Sequence, residues 1–428
     1  MTAKPQSAVA VRALAEVSDT AVASPAAVGA AIHGLRRARV GLAARSRAEV
    51  LAIVTDVIEA WLAPESPWLA RAVALLPAAT GFSPAMIRFA LPAMLEPLRA
   101  AQLEPLVAEQ ARERTGPGLI VHSLPGNLPG LAAIPAALSL AIGTAALLKP
   151  GRGDRCFPAL FIESVAARDT DLAAALAAVY WSGGDRACED VAFAAADLLV
   201  AAGDDATIAD LASRTRGRFI GHGHRISFAA ITAAVVDAPR AAADLALDVA
   251  TWDQRGCLSP QLCFVEGDFD AASNFAARLA AELADLETAL PPALMTTGER
   301  LAVRRWRDEA EWASFAGERY QLFASADEAA GSVVVEPAAV FRPTPLSRCV
   351  RVLPLESFEA LATLLAPLRG LLEGAGLAAA PADWDACAAR LAAAGVHHVS
   401  RLGLMQRPPL AWRQGGRPRL ADWCVDAG

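Results

Sequence analysis

"LIVHSLPGNLPGLAAIPAALSLAIGTAALLKPG", residues 119–151, decides how the chain is read. It opens on a short β-type run and breaks at Pro125-Gly126. An alanine-leucine segment that suits a helix follows, and a second apolar run, "GTAALLKPG", stops at Lys149-Pro150. Strand, helix, strand with polar or glycine turns is the unit of a parallel α/β sheet. The same stretch is free of charge from Ile120 to Leu148, and a spanning helix needs only about 20 apolar residues. However, Pro125, Gly126, Pro129 and Gly130 crowd one end, and alanine outweighs leucine. Loop, buried helix and buried strand are therefore expected, without membrane insertion.

Working outward, the units repeat. "RCFPALFIESVAARD" reads as a helix, "AAVYWSGG" and "DLLVAAGDD" as strands ending in glycine turns, and "TIADLASRT" as a helix. "GRFIGHGHRISFAAI" reads as one strand. Ligands bind at the carboxyl ends of such strands, which here carry Asn127, Lys149, Gly184 and Gly203. Upstream, residues 1–115 have apolar spacings of three and four and read as helices, with "SRAE" (46–49) resembling a capping box. Pro64, Pro67, Pro77, Pro84 and Pro92 are expected to divide them. From about Val236 a second α/β unit follows. It comprises the helix "APRAAADLALDVATWDQ", a turn at Cys257, the strand "QLCFVE" and the helix "DAASNFAARLAAELADLET". The strands "GSVVVEP" and "CVRVLPL", alanine-leucine helices through Ala394, the strand "AGVHHVSRLG" and an irregular Pro/Arg/Gly-rich close complete it. The expected division is 1–226 for the helical region and first α/β domain, 227–400 for the second, and 401–428 for the closing segment.

Composition limits function. The chain has 428 residues, 54% of them hydrophobic, and a net charge of −7; the mean hydropathy is +0.34 and the pI about 5.5. That length allows two or three domains. The acidic balance and lack of a basic run argue against nucleic acid as a partner. "MTAKPQSAVA" lacks the basic-then-apolar layout of a signal peptide. The seven cysteines are odd in number, scattered and never C-x-x-C, which suggests neither disulfides nor a zinc site and suits a reducing cytoplasm.

Cys257 stands apart from the others. Cys263 lies inside an apolar run, whereas Cys257 sits between Gly256 and a Ser-Pro turn, where the backbone can approach a ligand. A thiolate is the attacking species, so such a turn must favour negative charge. Asn127 could donate to an oxyanion, and Lys149 suits a ribose or phosphate. "GRGDRC" (151–156) gives G-x-G-x-x-C but lacks the third small residue and the later acid of a dinucleotide fingerprint. "GHGHR" (221–225) places His222 and His224 on one side of a strand. With no Cys, Asp or Glu nearby to complete a metal set, they read as polar strand residues or cofactor contacts.

Taken together, these segments resemble the aldehyde dehydrogenase superfamily. Residues 119–151 resemble its Pro-x-Asn-x-Pro loop, apolar helix and strand ending Leu-Lys-Pro. "DLLVAAGDDATI" resembles its strand and Gly-Ser-Thr turn, and "ATWDQRGCLSPQLCFVE" its nucleophile segment. "WSGGD", "GHGHRISF", "CLSPQ" and "GLMQRPPLAWRQGGRPRL" resemble the acyl-CoA reductase branch, which includes the fatty-acid reductase subunit of bacterial luminescence. The resemblance spans about 115–428. It implies an α/β fold of two parallel-sheet domains, a Rossmann-like cofactor domain and a catalytic cysteine domain, with a helical N-terminal region. It implies Cys257 as acyl-accepting nucleophile and Asn127, with the Cys257 backbone N–H, as oxyanion hole. Leu124, Pro125 and Gly126 would line the nicotinamide side, Lys149 would meet the adenosine ribose, and Gly203 and Asp204 would border the pyrophosphate. His222 is a further candidate cofactor contact.

Two departures sharpen this reading. The superfamily's hydrolytic glutamate has no counterpart in "IGHGHR", where Gly221 stands near its place, so an acyl-cysteine should persist until reduced. The Glu-x-Phe-Gly-Pro segment is matched only by "TPLSRC" (344–349). Three residues after the lysine, where NAD-preferring members carry glutamate, stands Arg152, which suits a 2′-phosphate. The expectation is NADPH-dependent reduction of an acyl thioester, from acyl-CoA or an acyl-carrier protein, to an aldehyde. The alternatives are an acid-forming aldehyde dehydrogenase and a non-catalytic scaffold for acyl carriers. Superfamily members usually pair, so a homo-oligomer is expected.

Overall fold

The computed structural model describes residues 22–112, 114–325 and 331–426. Helices fill the first part: Pro25–Ala43, Arg47–Leu62, Pro67–Thr80, Pro84–Leu95 and Ala100–Gln110. Serine starts four of them. Ser24, Ser46, Ser66 and Ser83 each accept a hydrogen bond from a backbone N–H of the first turn at 3.1–3.2 Å, satisfying a donor that has no partner within the helix. Pro25, Pro67 and Pro84 follow at the first helical position, where no N–H is needed. Pro77 and Pro92 do not divide helices as expected but lie inside them. Each falls in the last turn and leaves the carbonyl four residues earlier, that of Val73 or Arg88, without its helical donor. The N-terminal residues 1–21, read as part of the helical region, lie outside the described residues.

Two parallel sheets follow. The first has five strands in the order Leu176–Ala178, Ala145–Lys149, Leu119–Ser123, Leu198–Ala202, Arg218–His222, all parallel. The second has seven: His398–Arg401, Leu372–Ala378, Ile226–Ile231, Pro260–Glu266, Cys349–Leu355, Ser332–Val335 and Gln321–Ala324. Only the last, at the edge, runs antiparallel. Central strands are buried along their length, as sheets with helices on both faces require. On the second sheet one face is covered by the helices Pro239–Ala250 and Phe269–Ala289, the other by Trp384–Ala393 and the turn around Phe358–Leu368.

The charge-free stretch resolves into strand, loop, helix Ala133–Ala141 and strand. That helix is apolar on nearly every side because nearly every side is buried. Among the described residues no single helix is long and apolar enough to cross a membrane.

Two sequence expectations are corrected. "GRFIGHGHRISFAAI" is two strands in different sheets, Arg218–His222 and Ile226–Ile231, with the chain crossing between sheets at 223–225. The alanine-leucine region before Ala394 is not all helix. Leu372–Ala378, "LEGAGLA", is a central strand paired on both sides. Its Gly374 and Gly376 mark close approach. A Cβ on Gly374 would meet Leu258 Cδ2 at 2.6 Å, and one on Gly376 would meet Leu402 and Met405 at 2.6 Å.

The closing segment folds back over both halves. Asp248 accepts from the backbone N–H of Gly403 at 2.6 Å and of Met405 at 2.9 Å. Leu410, Leu420 and Trp423 join the core around the first sheet. Val425–Asp426 then pairs antiparallel with Arg114–Thr115.

Candidate active site

The carboxyl ends of Leu119–Ser123, Leu198–Ala202 and Arg218–His222 open into a cavity of about 470 Å³. The turn after the 3₁₀ segment Thr251–Gln254 enters it from the second unit, and the closing segment forms a third wall. This is where a doubly wound sheet places its ligand.

Cys257 is presented by a backbone in an uncommon conformation. Trp252, Asp253 and Gln254 have φ of 60°, 49° and 61°, and Leu346, Ser347 and Arg348 have 62°, 53° and 63°. None is glycine, so each of these left-handed residues costs free energy that its surroundings must offset. The two turns are bolted together. Arg348 Nε donates to Asp253 Oδ1 at 2.6 Å, and the other Asp253 oxygen accepts from Ala293 N at 2.7 Å. Gln254 donates from Nε2 to the carbonyls of Pro260 (2.8 Å) and Cys349 (3.0 Å). Both pairs are buried. Gly256 follows, and a Cβ there would meet Gln406 Oε1 at 3.0 Å. The Cys257 carbonyl accepts from Ser227 Oγ at 2.7 Å, and that oxygen accepts from Gly374 N at 3.0 Å. The turn is thus fixed to two neighbouring strands of its own sheet.

Cys257 itself is exposed to the cavity, whereas Cys188, Cys263, Cys349, Cys387 and Cys424 are buried. The cavity is ringed by protein, and this burial, reinforced by the Glu373 carboxylate, pushes the thiol up to about 12; the charge of Arg419 opposes the rise. Resting Cys257 is a neutral thiol that a reactant can reach.

Asn127 comes from the loop after Leu119–Ser123 and donates from Nδ2 to the Arg255 carbonyl at 2.5 Å. This places its amide two residues from Cys257, with a second N–H available. Leu124, Pro125, Gly203, Asp204 and His222 line the same cavity. Burial pushes His222 down to about 4, helped by Arg419, Arg417 and Arg225, so its ring is neutral. His224 lies beyond the strand, its backbone N–H held by Asp205 at 2.9 Å, so the two rings do not share a strand face.

Three expected residues lie off the cavity wall. Gly126 packs on the next loop: a Cβ there would meet Gly153 N at 2.6 Å, and one on Gly151 would meet Gly126 N at 2.2 Å. The glycines of "GRGDRC" therefore serve loop-on-loop packing, not a phosphate turn. Lys149 ends its strand half-buried; burial lowers its ammonium while Glu189 raises it. Arg152 is exposed on the turn packed against Gly126. Asp204 caps the helix Asp205–Arg214, accepting from Thr207 N at 2.7 Å, which puts a carboxylate where the serine of the expected Gly-Ser turn would present a hydroxyl.

Residues that sequence reading missed complete the site. Glu373, on the unrecognised strand, is fully buried yet borders the cavity. Its oxygens accept from Gly415 N at 2.9 and 3.2 Å, and Arg225 Nε lies 3.5 Å away. Arg225, Arg255, Arg417 and Arg419 give the wall an excess of positive charge. The glycines that follow Glu373, Gly374 and Gly376, were the available signal. Among the described residues no three His, Cys, Asp or Glu side chains converge as a metal site.

This architecture is that of the aldehyde dehydrogenases. An oxidoreductase from Marinobacter aquaeolei superposes with a TM-score of 0.75 at 14% identity, over 94% of this chain and 90% of the other. The NADP-dependent glyceraldehyde-3-phosphate dehydrogenase of Bacillus halodurans C-125 gives 0.70 at 13%, over 90% and 84%. The NAD-dependent benzaldehyde dehydrogenase of Corynebacterium glutamicum gives 0.68 at 16%, over 91% and 89%. Within that fold the chain belongs to the acyl-CoA reductase (LuxC) family, whose model matches residues 42–420. No curated protein matches the sequence.

Proposed function

We propose that the protein is an NADPH-dependent acyl-thioester reductase that transfers an acyl group from acyl-CoA or an acyl-carrier protein to Cys257 and releases an aldehyde. The observation that carries this reading is the meeting of Asn127 and an accessible Cys257 in one cavity beneath the strand ends. The Cys257 sulfur attacks the thioester carbon. The free N–H of Asn127 and the Cys257 backbone N–H receive the developing oxyanion, an effect worth about 10²–10³ in rate per donor.

A hydrolytic glutamate is missing where the superfamily carries one, and the packing there agrees. A Cβ on Gly221 would meet Ile208 Cγ2 at 2.6 Å and the Phe219 ring at 2.9 Å, so a larger side chain there would require both to move. With no carboxylate at that position to activate water, the superfamily's route to acid is lost and the acyl-cysteine is held for reduction. The cationic, partly apolar cavity suits a nicotinamide dinucleotide, with Leu124, Pro125, Gly203 and His222 as its walls and, off the wall, Lys149 at the end of the strand Ala145–Lys149 and Arg152 on the turn after it. When bound, its reduced form supplies the hydride that takes the acyl group to the aldehyde. Arg152 favours a 2′-phosphate on that cofactor.

The test is intact-mass analysis after exposure to acyl-CoA without reductant. An acyl adduct that persists in the native protein and is lost in Cys257→Ala is expected. Free fatty acid in place of an adduct would favour the acid-forming alternative, and neither product would favour a binding protein.

A further inference from the structure

Cys257 must lose a proton to attack, yet its cavity disfavours a thiolate. The proton needs an acceptor close by, and the structure offers few. His222, His397 and His398 are all held below the ordinary imidazole range, chiefly by burial. Asp204 is committed to its helix cap. Of the other bases on the wall, Asp422 is paired with Arg417 at 3.3 Å and His224 is exposed on the crossover between the sheets, which leaves the buried carboxylate of Glu373, whose charge acts on the Cys257 thiol.

We propose that Glu373 is the proton acceptor for Cys257 in acyl transfer, taking the thiol proton as sulfur attacks and giving it to the departing thiol. This rests on the reading of Cys257 as the nucleophile. Both residues line one cavity, and the geometry ties their two backbone segments together. Ser227 Oγ bridges the Cys257 carbonyl at 2.7 Å and the N–H of Gly374, the residue after Glu373, at 3.0 Å. The Cys257 turn packs on the same strand through Leu258 against Gly374. The two groups and Arg419 feel one another's charge.

The charge balance explains why this acceptor suits the site. The groups around Glu373 are Arg225 from the crossover, Cys257 from its turn, His398 from the neighbouring strand and His397 just before it, and Arg417 and Arg419 from the closing segment. Passing the proton from sulfur to carboxylate leaves the net charge of this enclosed cluster unchanged. Losing it to bulk water would add a negative charge that burial penalises. Burial also raises the Glu373 carboxyl, against the opposing pull of Gly415 N–H, Arg225 and Arg419, which brings it nearer the thiol in proton affinity. In the forward step the S–H bond breaks, sulfur forms a bond to the acyl carbon, the bond from that carbon to the donor's sulfur breaks, and Glu373 returns the proton to that sulfur. Nothing is oxidised or reduced in this half-reaction.

The experiment is the rate of acyl-adduct formation on Cys257 from acyl-CoA, without reductant, across pH 5 to 10. In the native protein the rate should rise as one carboxyl titrates and level off well below the thiol's own range. Glu373→Gln should slow the adduct by about 10² or more, and its rate should climb tenfold per pH unit with no plateau, because only hydroxide then removes the proton. Glu373→Asp should restore the plateau at a reduced rate. A lost hydrogen bond to Gly415 alone would not change the shape of the profile. Should Glu373→Gln fail to fold, the native profile decides: a plateau below pH 9 supports the assignment, and a continuous climb overturns it. An adduct forming equally fast with the same profile in Glu373→Gln overturns the role of Glu373 alone. No adduct in the native protein overturns the nucleophile reading and this assignment with it.

Discussion

Arg152 stands exposed beyond the carboxyl end of the strand Ala145–Lys149, three residues after Lys149, on a turn held against Gly126 by glycine-to-glycine contact. A guanidinium there can pair with a phosphate in two-pronged fashion, whereas a carboxylate would repel it. Arg152→Glu is expected to lower the ratio of NADPH to NADH use by at least about tenfold, one charge-assisted contact being worth about 1.5–3 kcal/mol. Steady-state rates with the two cofactors measure it, and an unchanged ratio would refute the NADPH assignment. Asp253 and Arg348 show a different economy of charge. Neither meets solvent appreciably, yet between them they hold two left-handed turns of three residues each in place. The pairing of acid and base across 95 residues of sequence has no local signature, since neither turn contains the glycine that normally announces positive φ.

At the scale of elements, the strand Leu372–Ala378 governs the site more than any other. It carries Glu373, and its Gly374 receives the Cys257 turn. A methyl at residue 374 would overlap Leu258 and press on Ser227 Oγ, 3.0 Å from the added carbon. Gly374→Ala is therefore expected to cost about 1–3 kcal/mol of stability, as overpacking does, and to slow adduct formation on Cys257 by displacing the Ser227 bridge. Denaturant unfolding and the mass assay read the two effects. This strand was illegible because "LEGAGLA" has no strict alternation and sits between alanine-leucine stretches of helical spacing. Pairing on both sides, not local propensity, makes it a strand. By contrast Leu119–Ser123, Ala145–Lys149 and Leu198–Ala202 were legible, because each opens on an uninterrupted apolar run and is followed within two residues by Pro or Gly. "GRFIGHGHRISFAAI" misled because both halves are β-type and only the crossover at 223–225 separates them.

Across the whole molecule, stability should depend on pH through groups far from Cys257. His122 lies in a central strand with its ring 5.0 Å from Trp423 and Nε2 3.0 Å from Ser139 Oγ. Burial pushes it down to about 3, so the folded protein keeps it neutral. An unfolded histidine titrates at about 6.5. Between those values the unfolded chain binds more protons, so this group's contribution is intact above about pH 6.5 and lost as pH falls toward 3. Asp154 and Asp248, each raised to about 7 by burial, act with opposite sign over much of the same window. The effect is therefore read by comparison: the melting temperature of His122→Gln should fall less between pH 7 and 4 than that of the native protein. An equal fall in both would refute the assignment to His122. The sequence by itself determined the strand–helix–strand units of the first sheet, the Ser46 cap and the singular setting of Cys257, because apolar runs, capping residues and turn glycines act through neighbours in the chain. Only the tertiary structure decided that Asn127, Cys257, Glu373 and Arg419 share one cavity. Their encounter depends on where two sheets and a returning tail press together, and burial and charge at that junction come from residues hundreds of positions apart.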